Sequence, residues 1–304
     1  MFYIGIDGGG TKTKFTLINE RNEIIFTTEK GTCHYNQIGF DGTEKILSEG
    51  LKDIIESTNL NISDIKGVCL GLAGYGKVKS DADKLSVAVK KVFGNIPYKL
   101  LNDVQIAHAA ALALEDGVVI ISGTGSIGYS VNDTKTRRVG GWGYSIGDEG
   151  SAYWIGKKTI EEFSKQADGR REKTKIYYIL KEELNLEDSY QLINYIYNHI
   201  KSDRGEIAKL AQICTKAATD GDKVAIDILE EAGKELAMLI NALADDFPRD
   251  RKVKASYVGG VFKCGNLIID PIRKNLKENI EFVHPKYTPD VGACILAKME
   301  GNYV

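Results

Sequence analysis

Three consecutive glycines interrupt an apolar segment near the amino terminus and restrict what this part of the chain can form. Residues 4–13 read Ile-Gly-Ile-Asp-Gly-Gly-Gly-Thr-Lys-Thr, and the apolar run Phe-Thr-Leu-Ile follows at 15–18. The alternating, β-branched residues on both sides predict a strand, a glycine turn and a second strand. Glycines suit positions where φ is positive or where the backbone is closely approached. An ordinary glycine-rich hairpin turn is the alternative to a binding turn.

The same turn carries groups that suit a nucleotide triphosphate. Backbone N–H groups beside Thr11 and Lys12 can hold phosphate oxygens, and the carboxylate of Asp7 can hold the magnesium that accompanies them. The turn is not a P-loop, because Thr11 precedes Lys12 and the pattern that follows is that of a strand rather than a helix. We therefore expect the nucleotide to bind over a β-hairpin.

Composition and charge narrow the classes of protein to which the chain can belong. Its 304 residues are 43% hydrophobic and 27% charged, which is enough for two domains with substantial cores. The formal net charge of −2 gives no electrostatic reason to expect nucleic acid. The start lacks the pattern of a signal peptide, and no apolar run reaches membrane-spanning length. We therefore expect a cytoplasmic protein that binds neither nucleic acid nor a membrane.

Strand and helix signals alternate up to residue 116 and begin again at Gly117, which predicts an α/β protein of two domains. After the hairpin, the first part is predicted to contain strands at 23–28, 67–73 and 98–101 and helices at 43–56, 80–93 and 105–115. The second part is predicted to contain strands at 118–122, 128–131, 255–258 and near 282, and helices at 151–167, 189–200, 204–218, 222–245, 267–276 and from 290.

A second glycine turn, Ser122-Gly-Thr-Gly-Ser126, follows the strand that starts the second part. The spacing of Gly123, Gly125 and Gly128 matches a dinucleotide fingerprint, but that motif must open a helix and here a strand follows. The turn is either a second phosphate site or a tight glycine corner.

Acidic and aromatic residues outside the two turns also suggest chemistry. Asp103 ends a predicted strand, where it can act as a general base or cap the next helix. Trp142 lies between glycines in the segment 140–154, and an exposed ring there suits stacking on a sugar or an acyl group. Asp148 can bind a hydroxyl or cap the following helix. Gly259-Gly260 can let an adenine approach the backbone, or can simply form a strand-to-helix turn.

Five segments of the sequence resemble the motifs of one protein family in their order and spacing. They are Asp7-Gly-Gly-Gly-Thr11, Asn102-Asp103, Ser122-Gly-Thr-Gly-Ser126, Gly140-Gly-Trp-Gly143 and Gly147-Asp-Glu-Gly-Ser-Ala-Tyr-Trp154. The family is that of the N-acetylglucosamine kinases, grouped with the BadF/BadG/BcrA/BcrD ATPases in the sugar kinase, heat-shock ATPase and actin superfamily. The resemblance implies an α/β fold with two ribonuclease-H-like, actin-like ATPase domains facing a central cleft. The expected domains are 1–116 plus 290–304, and 117–289 with a helical insertion.

The resemblance also implies a role for individual residues. Asp103 resembles the catalytic base, which also contacts the sugar, and Asp7 resembles the magnesium ligand. The ATP phosphates are expected on Gly8, Gly9, Gly10, Thr11, Lys12, Gly123, Thr124 and Gly125, and adenosine on Ala218, Gly259 and Gly260. The sugar is expected on Gly125, Gly141, Trp142, Asp148 and either His34 or Asn36. This last choice stays open because the family places an asparagine five residues before the glycine of an Ile-Gly pair, where this chain has His34.

The implied activity is transfer of phosphate from ATP, with Mg²⁺, to an amino sugar, most simply to its 6-hydroxyl. N-acetylglucosamine, N-acetylmuramic acid, glucosamine and glucose all stay open as substrates, and the family suggests a homodimer. The alternative is an ATPase that activates a 2-hydroxyacyl-CoA dehydratase through an iron–sulfur cluster. That class uses cysteines next to glycine turns, and none of the five scattered cysteines lies near the turns at 7–12 and 122–126. The lack of a Cys-x-x-Cys pair also argues against structural zinc.

Overall fold

A computed structural model of the chain describes residues 1–76, 78–248 and 250–301, and it divides into two compact units. Unit 1 comprises Met1–Glu115 and His284–Val304, and unit 2 comprises Asp116–Val283. Residues 302–304, which the sequence analysis assigns to the first domain, lie outside the described residues. Each unit is built on one five-stranded sheet, which confirms the predicted α/β class.

The sheet of unit 1 has the order β3-β2-β1-β4-β5. Strands β1 to β3 pair antiparallel, whereas β4 and β5 extend the sheet in parallel from β1. The elements are β1 (Phe2–Gly8), β2 (Lys12–Asn19), β3 (Ile24–Gly31), α1 (Tyr35–Thr58), β4 (Ile65–Leu72), α2 (Lys79–Phe93), β5 (Tyr98–Asn102), α3 (Asp103–Ala111) and α11 (Pro289–Gly301). Their apolar faces bury a core that includes Ile4, Phe15, Leu47, Leu70 and Phe93.

The sheet of unit 2 repeats this arrangement in the order β10-β9-β6-β7-β8, with β6 to β8 antiparallel and β9 and β10 parallel. Its elements are β6 (Gly117–Ser122), β7 (Ser126–Asn132), β8 (Lys135–Gly140), α4 (Ala152–Ala167), α5 (Lys175–Glu183), α6 (Gln191–Asn194), α7 (Arg204–Lys209), α8 (Ala211–Thr219), α9 (Lys223–Ala244), β9 (Val253–Val258), α10 (Asn266–Lys274) and β10 (Ile280–Phe282). Short 3₁₀ segments occur at Ile62–Asp64 and Gly260–Cys264, and a π-helical turn at Tyr195–His199.

Helix α11 joins the core of unit 1 because glycines leave room for it. A Cβ on Gly5 of β1 would collide with the carbonyl oxygen of Asp290 and lie 2.5 Å from the backbone nitrogen of Cys294. On the other side of the helix, a Cβ on Gly292 would lie 2.5 Å from the Cβ of Ala110 in α3. The last helix therefore packs at backbone contact against both β1 and α3. Among the described residues, no helix has the length and apolar character needed to cross a membrane.

The structure corrects several predicted elements. The helix predicted at 105–115 begins at Asp103 and ends at Ala111, since Ala113 and Leu114 have positive φ angles of 50° and 70°. Strand β8 was not predicted, because it is a charged, exposed edge strand without apolar alternation. Helix α5 was not predicted either. The helix predicted at 43–56 starts earlier, at Tyr35, with a kink at Gly39. The helix predicted at 189–200 is the short α6 followed by the π-helical turn.

Candidate functional site

The glycine turn between β1 and β2 is a tight hairpin with unused donors. The N–H of Gly9 donates to the carbonyl of Lys12 at 3.0 Å, while no described residue accepts a hydrogen bond from the N–H of Gly10 or Thr11. Thr32 and Gln37 bind the carbonyls of Gly9 and Gly10, each at 2.9 Å. The turn is thus held through its carbonyls and leaves two N–H groups for a ligand.

Close packing, rather than positive φ, explains the first of the three glycines. Gly8, Gly9 and Gly10 all lack a positive φ. A Cβ on Gly8 would lie 2.5 Å from the sulfur of Cys33 and 2.6 Å from a methyl group of Leu72. This corrects the expectation that no cysteine lies near the turn: Cys33 is far from it in sequence but packs against it. The thiol is 2% exposed and burial raises its pKa to about 11, so it is a core side chain.

Carboxyl groups gather at the carboxyl-terminal edge of the parallel strands in unit 1. Asp7 is opposite Gly71 near the end of β1, and Asp103 directly follows Asn102 at the end of β5. Burial, followed by the charges of the nearby carboxylates of Asp103 and Asp290, raises the pKa of Asp7 to about 7, against the opposing charges of Lys14 and Lys12. Asp7 therefore lies in a site where an added cation would be stabilised.

The buried carboxyl group of Asp290 forms an ion pair with the half-buried Lys14. The Nζ of Lys14 lies 3.1 Å from Oδ2 of Asp290, and the hydroxyl of Thr16 donates to the same oxygen at 2.6 Å. Burial acts to raise the pKa of Asp290, but hydrogen bonds from Thr16 and Thr288 and the charge of Lys14 lower it overall. Asp290 thus stays ionised and fixes Lys14 beside β1, where Lys14 is the register partner of Asp7.

Asp103 is the first residue of α3, and Asn102 rather than Asp103 caps the helix. The side chain of Asn102 accepts from the N–H of Val104, and the side chain of Gln105 accepts from the N–H of Asn102 at 2.9 Å. Asp103 also accepts from the N–H of Val104, at 3.1 Å, and its carboxyl group is half-buried. With the capping role filled by its neighbour, Asp103 is placed for other chemistry at the sheet edge.

Magnesium can be tested against these residues. Within 1–76, 78–248 and 250–301, no group of three or more His, Cys, Asp or Glu side chains is arranged as a metal site. Mg²⁺ commonly uses one or two carboxylates, keeps several waters and takes its remaining ligands from substrate phosphates. The half-buried carboxyl group of Asp7, beside a turn with unused N–H donors, fits that mode of binding.

The loop before α1 holds the two candidates for a sugar contact. His34 caps α1, and its Nδ1 accepts from the N–H of Asn36 at 3.2 Å. The ring of His34 is half-buried and stacks on Tyr35 with centroids 5.5 Å apart, whereas the side chain of Asn36 is exposed. Asn36 is therefore the freer of the two side chains, and His34 the more rigidly placed.

The turn between β6 and β7 in unit 2 repeats the features of the first turn. The N–H of Gly123 donates to the carbonyl of Gly125 at 2.9 Å, and no described residue accepts from the N–H of Thr124 or Gly125. The loop before α4 is tied to this turn, because the N–H of Ala152 donates to the carbonyl of Gly123 at 2.8 Å. Each unit thus presents a glycine hairpin with two unused N–H groups.

Asp148 is fixed next to the second turn. Its side chain is 4% exposed, its φ is 60°, and it accepts from Nη2 of Arg204 at 2.8 Å and from the N–H of Gly143 at 3.3 Å. A Cβ on Gly125 would collide with Nη2 of Arg204 and lie 2.6 Å from Oδ2 of Asp148. Asp148 does not cap α4, because the side chain of Ser151 does so by accepting from the N–H of Trp154.

The loop between β8 and α4 exposes apolar side chains. Trp142 is 73% exposed and Ile146 is 77% exposed. Gly140, Gly141 and Gly143 all have positive φ, and Arg138 donates to the carbonyls of the first two of them. Arg138 and the glycines therefore hold Trp142 away from the core, as the sequence analysis expects.

The remaining candidates, Gly259, Gly260 and Ala218, also lie in unit 2. Gly259 follows β9, has a φ of 123°, and would collide with the carbonyl of Ser122 if it carried a Cβ. Gly260 begins the 3₁₀ segment, whose last residue, Cys264, contacts the hydroxyl of Thr215 in α8 at 3.2 Å. Ala218, one turn further along α8, is buried. The structure thus brings Gly259 against Ser122, at the start of the turn between β6 and β7. It also places α8 beside the 3₁₀ segment that follows Gly259.

The same features distinguish a family of proteins. A model of the BadF/BadG/BcrA/BcrD ATPase family matches residues 4–297. The chain belongs to this family. The match spans both glycine turns, Asp103, the Asp148 loop and most of α11, and it confirms the resemblance seen in the sequence.

Individual relatives cover nearly the whole chain. It is 31% identical to the N-acetylmuramic acid/N-acetylglucosamine kinase of Clostridium acetobutylicum, over 98% of this chain and 99% of that protein. It is 30% identical to the N-acetyl-D-glucosamine kinase of Dictyostelium discoideum, over 97% of each. Among solved structures, a Chromobacterium violaceum protein has a TM-score of 0.79 at 23% identity, covering 97% of this chain and 98% of that one. A glucokinase of the ROK family from Streptomyces griseus has a TM-score of 0.64 at 19% identity, covering 98% and 100%. The fold is that of the actin-like sugar kinases.

Three residues of this family member were missed by the sequence analysis: Lys14, Asp290 and Arg204. Lys14 could have been found, because residues seven apart across a short hairpin can become register partners. Asp290 lies 274 positions beyond Thr16, and Arg204 lies 56 beyond Asp148. No local pattern signals such pairings.

Proposed function

We propose that this chain transfers the γ-phosphoryl group of ATP to an amino sugar, at the 6-hydroxyl, with N-acetylglucosamine as the first candidate substrate. N-acetylmuramic acid and glucosamine are further candidates. The observation that carries the proposal is the pair of glycine hairpins, each with two N–H groups that no described residue uses. Backbone N–H groups of this kind bind phosphate oxygens without a helix N-terminus.

The chain is an ATP-dependent sugar kinase, because it belongs to an ATPase family and its full-length relatives are named sugar kinases. A third relative, from Vibrio cholerae, is named a glucosamine kinase and is 26% identical over 80% of each chain. The names share an amino sugar as substrate and differ in its substituents. The amino-sugar class is therefore better supported than any single sugar.

Phosphoryl transfer requires positioning and charge neutralisation more than covalent chemistry. In the proposal, the residues that bind ATP phosphates are Gly8, Gly9, Gly10, Thr11 and Lys12 of the first turn and Gly123, Thr124 and Gly125 of the second. Lys12 now forms an exposed ion pair with Glu29 at 2.7 Å, which it would exchange for phosphate. Gly259, Gly260 and Ala218 would lie along the adenosine.

Asp103 is proposed to accept the proton of the attacking hydroxyl, since its neighbour Asn102 already fulfils the capping role. Asp7 would hold Mg²⁺, which supplies charge neutralisation of the triphosphate when bound. The carboxyl group of Asp7, whose pKa is raised to about 7, would lose its proton on binding that cation.

The acceptor sugar is assigned to Gly125, Gly141, Trp142 and Asp148, together with Asn36 or His34. Trp142 is free to stack on an N-acyl group or a sugar face because most of its ring area is exposed. Asp148 offers carboxylate oxygens to sugar hydroxyls beside the second turn. Assembly as a homodimer in the cytoplasm completes the proposal.

A coupled ADP-release assay with ATP, Mg²⁺ and each of the four sugars tests this function. We expect sugar-dependent ADP release with at least one N-acyl amino sugar. Asp103→Asn should lower kcat by about 10²–10⁴-fold, the typical contribution of a general base, and leave ATP binding nearly unchanged.

Asp81→Asn is the matched control, because Asp81 also lies in the first turn of a helix of unit 1 and is also half-buried. Its activity should equal that of the wild type. An Asp103→Asn enzyme with full activity would exclude Asp103 as the base. ADP release that no sugar stimulates would exclude the kinase assignment.

A further inference from the structure

Arg204 is the charged side chain most closely associated with the proposed sugar site that no part of the proposed function uses. It is the first residue of α7, and its side chain crosses to the loop before α4, 56 residues earlier in the chain. Its Nη2 donates to Oδ2 of Asp148 at 2.8 Å. Because Asp148 is almost fully buried, a loss of this partner would leave an uncompensated carboxylate in the protein interior.

Two further contacts fix the plane of the guanidinium group. Tyr144 lies under it, with its ring centroid 5.4 Å from Cζ of Arg204. Gly125 lies against it at a distance that leaves no room for a Cβ. The Nε of Arg204 is buried and has no hydrogen-bond partner among the described residues. The contacts to Asp148, Tyr144 and Gly125 therefore determine the orientation of the arginine, at the cost of one unsatisfied donor.

Asp148 is consequently held at both oxygens. Arg204 donates a hydrogen bond to Oδ2, and the N–H of Gly143 donates one to Oδ1 at 3.3 Å. Each carboxylate oxygen keeps a further lone pair. The direction of these remaining lone pairs depends on the position of Arg204. A carboxylate fixed in this way is preorganised to accept hydrogen bonds from sugar hydroxyls.

We propose that Arg204 is a positioning residue for the sugar, acting through Asp148 rather than by direct contact with the substrate. The inference rests on the proposed function, because the sugar is assigned to Asp148 there. It adds a residue from α7 to the site and predicts that sugar recognition depends on the Asp148–Arg204 pair. It also predicts that neutral and acidic amino sugars depend on Arg204 to the same degree.

Steady-state kinetics of Arg204→Gln with N-acetylglucosamine tests the proposal. We expect the sugar KM to rise roughly 10–100-fold, as for the loss of a hydrogen bond to a charged group. The KM for ATP and kcat should stay within about threefold of the wild type. Arg204→Lys keeps the charge without the planar fork, and we expect it to recover part of the loss. An unchanged sugar KM in Arg204→Gln would overturn the proposal.

Arg137→Gln is the matched control. Arg137 also lies in unit 2, forms an ion pair with Asp246 at 2.8 Å, donates to the carbonyl of Ala242 at 3.1 Å and is 47% exposed, against 38% for Arg204. Its sugar KM should stay within about twofold of the wild type. If Arg204→Gln does not fold, the sugar KM of Arg204→Lys is measured instead. A purely structural role of Arg204 predicts that Arg204→Lys changes the sugar KM no more than Arg137→Gln does.

A double-mutant cycle separates positioning from direct binding. In an Asp148→Asn background, Arg204→Gln should change kcat/KM for the sugar by no more than about twofold, because the residue through which it acts is already altered. Fully multiplicative effects would overturn the proposal. So would a loss with N-acetylmuramic acid much larger than with N-acetylglucosamine, since that would show direct contact between Arg204 and the sugar carboxylate. A wild-type enzyme inactive on every sugar would instead reject the proposed function itself.

Discussion

At the scale of single residues, Asp7 shows most clearly how surroundings change chemistry. Burial, followed by the charges of Asp103 and Asp290, raises its pKa from 3.8 to about 7. At pH values between these two pKa values, the unfolded chain binds fewer protons than the folded chain. The folded state therefore loses stability as the pH rises through this range. A carboxyl group held this way destabilises the ligand-free protein near neutral pH and favours a bound cation.

We therefore predict that Asp7→Asn stabilises the ligand-free protein increasingly as the pH rises from about 4 to about 7. At pH 8 the gain in free energy of unfolding should be roughly 2–4 kcal/mol, and at pH 4 it should be close to zero. Urea denaturation across this range measures the difference between variant and wild type, and Asp81→Asn serves as the control. A difference that does not depend on pH would show that the carboxyl group of Asp7 is not perturbed by its site.

Neighbouring glycines mark several of the candidate residues in the sequence, although not Asp103, His34 or Asn36. Asp7, Asp148 and Trp142 all lie in unusual glycine-rich words, and the structure places each of them at a loop or strand end. Lys14 and Arg204 lie outside these segments, and their ion-pair partners Asp290 and Asp148 come from distant parts of the chain. Long-range ion pairs depend on the final packing and leave no local pattern.

At the scale of elements, the end of α3 shows where local propensity misleads. The alanine-rich stretch favours helix up to Glu115, yet the N–H of Leu114 donates to the carbonyl of Ala109 and that of Ala113 to Ala110. These two bonds form a Schellman motif, which usually has glycine where this chain has Ala113. Without the glycine, the sequence gives no sign that the helix stops.

Ala113→Gly should accordingly stabilise the protein, because alanine is strained at a φ of 50°. We expect a net gain of roughly 0.5–1 kcal/mol in the free energy of unfolding. The relief of strain is larger than this, but glycine also increases the conformational entropy of the unfolded chain, which offsets part of it. Denaturant titration measures it. Ala109→Gly, inside the same helix, should lose about 1 kcal/mol. Destabilisation of similar size in both variants would argue against the observed end of α3.

At the scale of the whole molecule, both units carry the same sheet topology, and in both a glycine hairpin joins the first two strands of the sheet. The sequence predicted the restart at Gly117 because strand, glycine turn and strand recur there. It did not predict from its own pattern that α11 completes unit 1; only the family resemblance implied this. The backbone contacts of Gly5 and Gly292 with their neighbours explain the return of the helix. The contacts of Gly5 join parts of the chain almost 300 residues apart.

The proposed transfer of phosphate from ATP to an amino sugar is tested most directly by the chemical identity of the product. Incubation of the protein with ATP, Mg²⁺ and N-acetylglucosamine, followed by ³¹P NMR with proton correlation, identifies the atom that receives the phosphate. We expect a phosphomonoester coupled to the C6 protons of the sugar, formed in amounts equal to ADP. Free inorganic phosphate beside an unmodified sugar would contradict it.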